Sequence, residues 1–139
     1  SFSSALREKM MTQTIDDNMV PPVAMGHVRM DVNSLAPATD WMAKIGLRVV
    51  ARHDTLSVLE LRGGTHLVLR LTDDAIAPDS LAPIDLMVDD IHAKHAACLA
   101  DGLEPSDITS GSVHSSFFVP GPSGYRVKIT SSHTDGRAV

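Results

Sequence analysis

The side chains able to do chemistry fall at alternate positions of four short runs. His27, Arg29 and Asp31 alternate with Val28, Met30 and Val32, and His66, Val68 and Arg70 alternate with Leu67, Leu69 and Leu71. Later, Pro83, Asp85 and Met87 alternate with Ile84, Leu86 and Val88. Arg126, Lys128 and Thr130 alternate in the same way with Tyr125, Val127 and Ile129. A period of two places each polar set on one sheet face and each apolar set on a core. Glu60 and Arg62 join the polar set from a neighbouring strand. Histidine titrates near neutrality and suits proton transfer, and arginine grips carboxylate or phosphate with two parallel hydrogen bonds. Arg29, Arg62, Arg70, Arg126 and Lys128 outnumber Asp31, Glu60 and Asp85 on these faces. A small anionic or polar ligand is therefore expected. The competing expectation is mutual pairing of these charges across strands.

The remaining reactive side chains point elsewhere. Cys98 is the only cysteine, so neither an internal disulfide nor a thiolate zinc cluster is available. It lies among alanines in a helical pattern and reads as a small buried hydrophobe. His92 and His95 lack a third metal donor; the pattern puts His95 under its helix with Ile91, Cys98 and Leu99, and His92 in solvent. His114 and His133 are expected to be structural or to close a rim.

Composition bounds the function class. The chain has 139 residues, 43% hydrophobic and 21% charged, which suits one soluble globular domain. A net charge of −5 without a basic run argues against nucleic acid. No segment reaches the length of a membrane span and no signal-peptide pattern opens the chain, so no membrane partner and a cytoplasmic location are expected. Residues 1–22 read as a flexible N-terminal extension or added leader, with a short helical arm over Ala5–Met11, and residues 23–139 as the single domain.

The elements that position these side chains occur twice. A strand over His27–Val32 leads to a helix capped by Asn33 or Ser34, carrying Leu35, Ala38, Met42 and Ile45 on one face, and stopped by Gly46. Strands are predicted over Leu47–Arg52, Leu56–Leu61 and His66–Leu71. After a linker at 73–82 the order returns: a strand around Ile84–Val88, a helix over Asp90–Ala100 stopped by Gly102, and strands over Glu104–Ile108, Val113–Val119 and Tyr125–Thr130. The last two flank a Pro120–Gly124 turn and form a hairpin. Val28–Val32 matches Ile84–Val88, and Gly46-Leu47 matches Gly102-Leu103, both displaced by 56 residues. Gly64 with Leu67 and Leu69 matches Gly124 with Val127 and Ile129, displaced by 60. The chain is thus an α+β duplication of βαβββ modules, spanning 26–72 and 83–132.

Four stretches carry a family resemblance: Gly26-His27-Val28, Trp41 to Leu47, Val88-Asp89-Asp90-Ile91, and Gly121-Pro122-Ser123-Gly124-Tyr125. As an ordered set, over about 26–132, they resemble the vicinal oxygen chelate superfamily, the glyoxalase/bleomycin resistance/dioxygenase group. Gly121 stands where that family's turn usually has Asp. The resemblance implies two modules curled into a cup, usually completed or flanked by a second subunit in a homodimer. In metal-dependent members, four inward side chains bind a divalent cation. Those positions are occupied here by His27, Val68, Pro83 and Lys128, with His66 and Arg70 as register alternatives to Val68. Valine and proline offer no donor, and a protonated lysine repels a dication. The expectation is a divergent member with no metal and no cofactor.

Three functions follow from that expectation. The first is a metal-independent small-molecule binding protein, with His27, Arg29, His66, Arg70, Asp85, Arg126 and Lys128 as the ligand-binding set. The second is a lyase- or isomerase-type enzyme using His27 and Lys128 in the cup. The third is a structural or regulatory dimerisation module with a vestigial cup. A salt bridge from Lys128 to Asp85 or Asp31 is the plain structural alternative for that lysine.

Overall fold

A computed structural model describes residues 14–139, and the helical arm expected over Ala5–Met11 lies outside them. The first module comprises β1 (His27–Val32), α1 (Leu35–Ile45), β2 (Arg48–Arg52), β3 (Leu56–Glu60) and β4 (His66–Leu71). The second comprises β5 (Leu81–Val88), α2 (Ile91–Ala100), β6 (Thr109–Ser110), β7 (Ser115–Pro120) and β8 (Arg126–Ser131). Short 3₁₀ turns at Arg62–Gly64 and Pro122–Gly124 precede β4 and β8. Each module is a four-stranded mixed sheet, ordered β1-β4-β3-β2 and β5-β8-β7-β6. Each sheet carries one helix, as the α+β duplication requires.

The duplication is visible at the level of single hydrogen bonds. Gly46 N–H donates to the Ala43 and Met42 carbonyls and Leu47 N–H to the Met42 carbonyl, a left-handed helix stop with Gly46 at φ 133°. Gly102 and Leu103 close α2 on Leu99 and Cys98 in the same way, with Gly102 at φ 70°. Arg29 pairs with Val68, and Asp85 pairs with Lys128, the same two positions displaced by 56 and 60 residues. The symmetry breaks at the start of β5. Leu81 pairs with Arg126 and Asp85 with Lys128, so β5 spends two residues more than β8 between those points. Pro83 lies inside this irregularity and has no N–H to give a ladder.

The core lies on the helix side of each sheet. Met30, Val32, Leu59, Leu67 and Leu69 pack under Ala38, Met42 and Ile45, while Leu86, Phe117, Val119, Val127 and Ile129 pack with Ile91 and Cys98. Each large apolar side chain fully buried in this way contributes about 1.5–3 kcal/mol. Thr39 is buried too; its hydroxyl bonds the Leu35 carbonyl at 2.7 Å and meets Ser57 Oγ at 2.9 Å. Three expectations are corrected here. Ser34 holds the N-cap position, but its side chain makes no cap hydrogen bond. Asn33 makes none to the helix either, because its Nδ2 donates to the Thr72 and Asp74 carbonyls. Leu99 is 58% exposed and outside the core. The strand expected over Glu104–Ile108 forms only at Thr109–Ser110; Glu104 sits at φ 56° and Pro105 has no N–H, both incompatible with a regular ladder.

The modules meet with β1 and β5 side by side, and each places its turn on the other. Ser123 Oγ accepts from Asn33 N–H at 2.8 Å, and Tyr125 O–H donates to the Asp31 carbonyl at 2.9 Å. Reciprocally, Arg62 forks onto Asp89 with two 3.0 Å bonds, and Lys94 Nζ donates to the Ile45 carbonyl. Asn33 and Asp89 are equivalent positions of the two modules, displaced by 56 residues. The Arg62–Asp89 pair is 66% and 76% exposed, so it contributes about 0–1 kcal/mol and serves mainly to fix geometry.

Candidate functional site

The expected ligand-binding residues divide into two groups. The first lies on the open face of the first module. His27 and His66 face each other across the parallel β1/β4 ladder, their rings edge to face at 5.9 Å. His66 is half-buried, and its Nε2 lies 3.1 Å from Glu60 Oε2. Arg48 donates to the other oxygen, Glu60 Oε1, at 2.8 Å. Arg48, Glu60 and His66 therefore form a chain in which the arginine steadies the carboxylate and the carboxylate orients the imidazole. Mutual pairing wins at Glu60. It does not win at Arg29, Asp31 or Arg70, which make no ion pair within 4.0 Å among the described residues.

The second group lies on β5 and β8. Arg126 is held at the end of its strand, with Nε donating to the Asp79 carbonyl at 3.1 Å and the guanidinium 4.8 Å above the Phe118 ring. Lys128 is half-buried on the open face opposite Asp85. The salt bridges considered for it, to Asp85 or Asp31, are absent among the described residues. Asp85 and Lys128 border an open hollow of about 1180 Å³ at the junction of the modules. Of the seven expected ligand-binding residues, only these two line it. His27, Arg29, His66, Arg70 and Arg126 do not.

The rest of the hollow is largely apolar. It follows β5 along its length and is closed by Val28, by Ile45 at the end of α1 and Leu47 beyond it, and by Leu61 before β4. Val20, Met25 and Val139 border it as well, and Ala138 N–H donates to the Asp17 carbonyl at 2.9 Å. Part of the N-terminal stretch, read from sequence as peripheral, thus meets the C-terminus and lines the hollow. Alternation marked Val28 and Ile84 as core-facing; what it lacked was the gap between modules, which leaves these side chains only partly covered.

The other reactive groups are structural. Burial pushes the Cys98 thiol above its usual range; Lys94 lowers it less, and Asp101 adds a small rise. This thiol is no poised nucleophile. Burial likewise raises the Tyr125 phenol, with Asp31 adding to the shift, which fits its role as a hydrogen-bond donor. His95 Nε2 bonds the Ser106 carbonyl at 2.8 Å and its ring meets Phe117 edge-on at 5.0 Å, while His92 is exposed. His114 and His133 place their rings 5.5 Å apart at the far rim.

The positions that the family resemblance assigns to a divalent cation do not supply a donor set. Val68 and Pro83 have no donor atom, Pro83 falls in the β5 irregularity, and His66 is already committed to Glu60. Among the described residues, no three His, Cys, Asp or Glu side chains are grouped to hold a metal. No helix among them is long and apolar enough to cross a membrane.

No protein-family model matches the sequence, and no curated protein matches it. Solved structures do match the fold. A glyoxalase/bleomycin resistance protein/dioxygenase from Alicyclobacillus acidocaldarius superposes with a TM-score of 0.67 at 21% identity, over 84% of this chain and 97% of that one. Lactoylglutathione lyase from Agrobacterium tumefaciens superposes at 0.66 with 16% identity, over 82% and 97%. Oxidase ChaP-H2 does so at 0.63 with 17% identity, over 81% and 95%. Identities this low speak for the backbone and not for the chemistry. The paired βαβββ modules, their sheet order and these superpositions establish that the chain has the glyoxalase/bleomycin resistance/dioxygenase fold.

Proposed function

We propose that the protein is a metal-independent small-molecule binder that anchors an anion on Lys128. One observation carries the reading: a half-buried ammonium borders the hollow of about 1180 Å³ and has no ion-pair partner among the described residues. A charge in partly desolvated surroundings interacts more strongly with a ligand than one in open water. Lysine also occupies the position where the family resemblance would put a metal-binding carboxylate, which inverts the charge offered to a guest. The test is calorimetric titration of acetate, benzoate and phosphate into the protein and into Lys128→Met. Anion binding weakened at least tenfold by the substitution supports the reading; equal binding by both proteins sinks it.

An enzyme remains the second reading, favoured by the Arg48–Glu60–His66 chain. An imidazole oriented by a carboxylate is a competent proton acceptor through its other nitrogen. The sequence assigned this chemistry to His27 and Lys128, but His27 neighbours His66 and does not line the hollow with Lys128. Turnover of a carbonyl or ester panel that is lost in both His66→Ala and Glu60→Gln would establish an enzyme. Turnover indifferent to both would remove this reading. The binder is further proposed to be a cytoplasmic homodimer, supported by its lone buried thiol and by the exposed apolar side chains Val50 and Leu71.

A further inference from the structure

We infer that the hollow takes a monocarboxylate with an extended apolar body, rather than a compact polar anion. The inference rests on the Lys128 reading above and specifies the ligand class of that site. Among the described residues, Lys94, Arg62 and Lys128 border the hollow, and the first two are committed: Lys94 to the Ile45 carbonyl and Arg62 to Asp89. Lys128 is left to meet a ligand charge. Asp85 faces it across the β5/β8 ladder, so the local field suits one negative charge and opposes two.

Away from that pair the walls change character. Val28, Leu47, Leu61, Ile84, Leu86 and Met87 supply an apolar track from the Lys128 end to the module junction. A volume of about 1180 Å³ far exceeds what a small carboxylate or phosphate would fill. Partly exposed apolar surface at this density gains from being covered; Met87 alone is 41% exposed. A polypeptide strand is a poorer occupant. Pro83 and the irregular pairing between Leu81 and Asp85 remove the regular edge on which a peptide or a second copy would add. An aliphatic carboxylate needs no such edge, since its tail has no hydrogen-bonding groups to satisfy.

The experiment titrates acetate, hexanoate, decanoate and decanol into the full chain, with light scattering on the same samples. Affinity should rise steeply from acetate to decanoate, by up to about fourfold per buried methylene. Lys128→Met should weaken decanoate at least tenfold while leaving decanol unchanged, and Lys128→Arg should retain decanoate. Met87→Asn, a neutral polar substitution at an exposed position on the track, should weaken decanoate and spare acetate. If affinity is flat from acetate to decanoate while acetate still depends on Lys128, the apolar-body inference falls and the anion reading stands. If no carboxylate binds in a Lys128-dependent way, both fall. A mass increase on adding decanoate would assign the hollow to self-association and overturn the inference.

Discussion

Gly121→Ala tests how the turn before β8 sets the strand that carries Lys128. Gly121 has φ −110°, a conformation open to any residue, so backbone strain plays no part. The obstacle is space. A Cβ at this position would fall 2.7 Å from Val127 Cγ2, 3.4 Å from the Tyr125 carbonyl oxygen and 3.8 Å from Trp41 Cη2. Val127 is fully buried and cannot swing aside without opening the core. Gly121 N–H also donates to that Tyr125 carbonyl at 2.7 Å, so the backbone is tied where the new methyl must go. Overpacking of this kind costs about 2 kcal/mol, which for a domain of this size lowers Tm by about 8 °C. Gly26→Ala is the control, because a Cβ there meets nothing within 4 Å. Thermal unfolding followed by circular dichroism should separate the two variants. If Gly121→Ala melts with Gly26→Ala, the close packing of the turn against β8 is wrong.

Three further outcomes are expected. Cys98 and Tyr125 both have pKa values raised by burial, so the folded state holds their protons more tightly than the unfolded chain does. Stability is then full below their ordinary ranges and falls as pH rises from those ranges through the higher values the folded state imposes; urea midpoints that stay constant into alkali would contradict this. Ser123 sits at φ 56°, where the first module uses Gly63 at φ 82°, and its hydroxyl accepts from Asn33 N–H. Ser123→Ala keeps the backbone cost and loses the acceptor, for a loss of about 1 kcal/mol. Ser123→Gly regains conformational freedom and should be the more stable of the two in chemical denaturation. As a homodimer, the protein should scatter light as about twice 14.9 kDa, and a mass near 14.9 kDa would refute that assembly.

The sequence revealed most where local and global signals agree. β1 and β4 occur at the predicted residues because each is an uninterrupted alternation bounded by glycine or a polar turn. Gly46 and Gly102 mark equivalent helix stops because both positions need positive φ. The signal failed where one backbone detail outweighed a pattern. Glu104 and Pro105 broke a strand that the repeated module order called for, and Pro83 shifted the pairing of β5, so a displacement of 56 residues no longer carried His27 onto an equivalent ladder position. The candidate site was legible in its charges but not in its shape. Alternation identified Asp85 and Lys128, yet the apolar walls of the hollow come from side chains that alternation assigns to the core. Only the docking of the two modules decides how much of Val28, Leu61 and Ile84 stays uncovered, and that depends on pairs such as Arg62–Asp89 and Ser123–Asn33 that are distant in sequence.

The most direct test of anion capture by Lys128 is a crystal structure of the protein with 4-iodobenzoate, the iodine located by anomalous scattering. The account predicts one site in the hollow, with a carboxylate oxygen about 3 Å from Lys128 Nζ and the iodinated ring against Met87. Iodobenzoate bound elsewhere with Lys128 untouched, or Lys128 engaged by a protein carboxylate that closes the hollow, would contradict it.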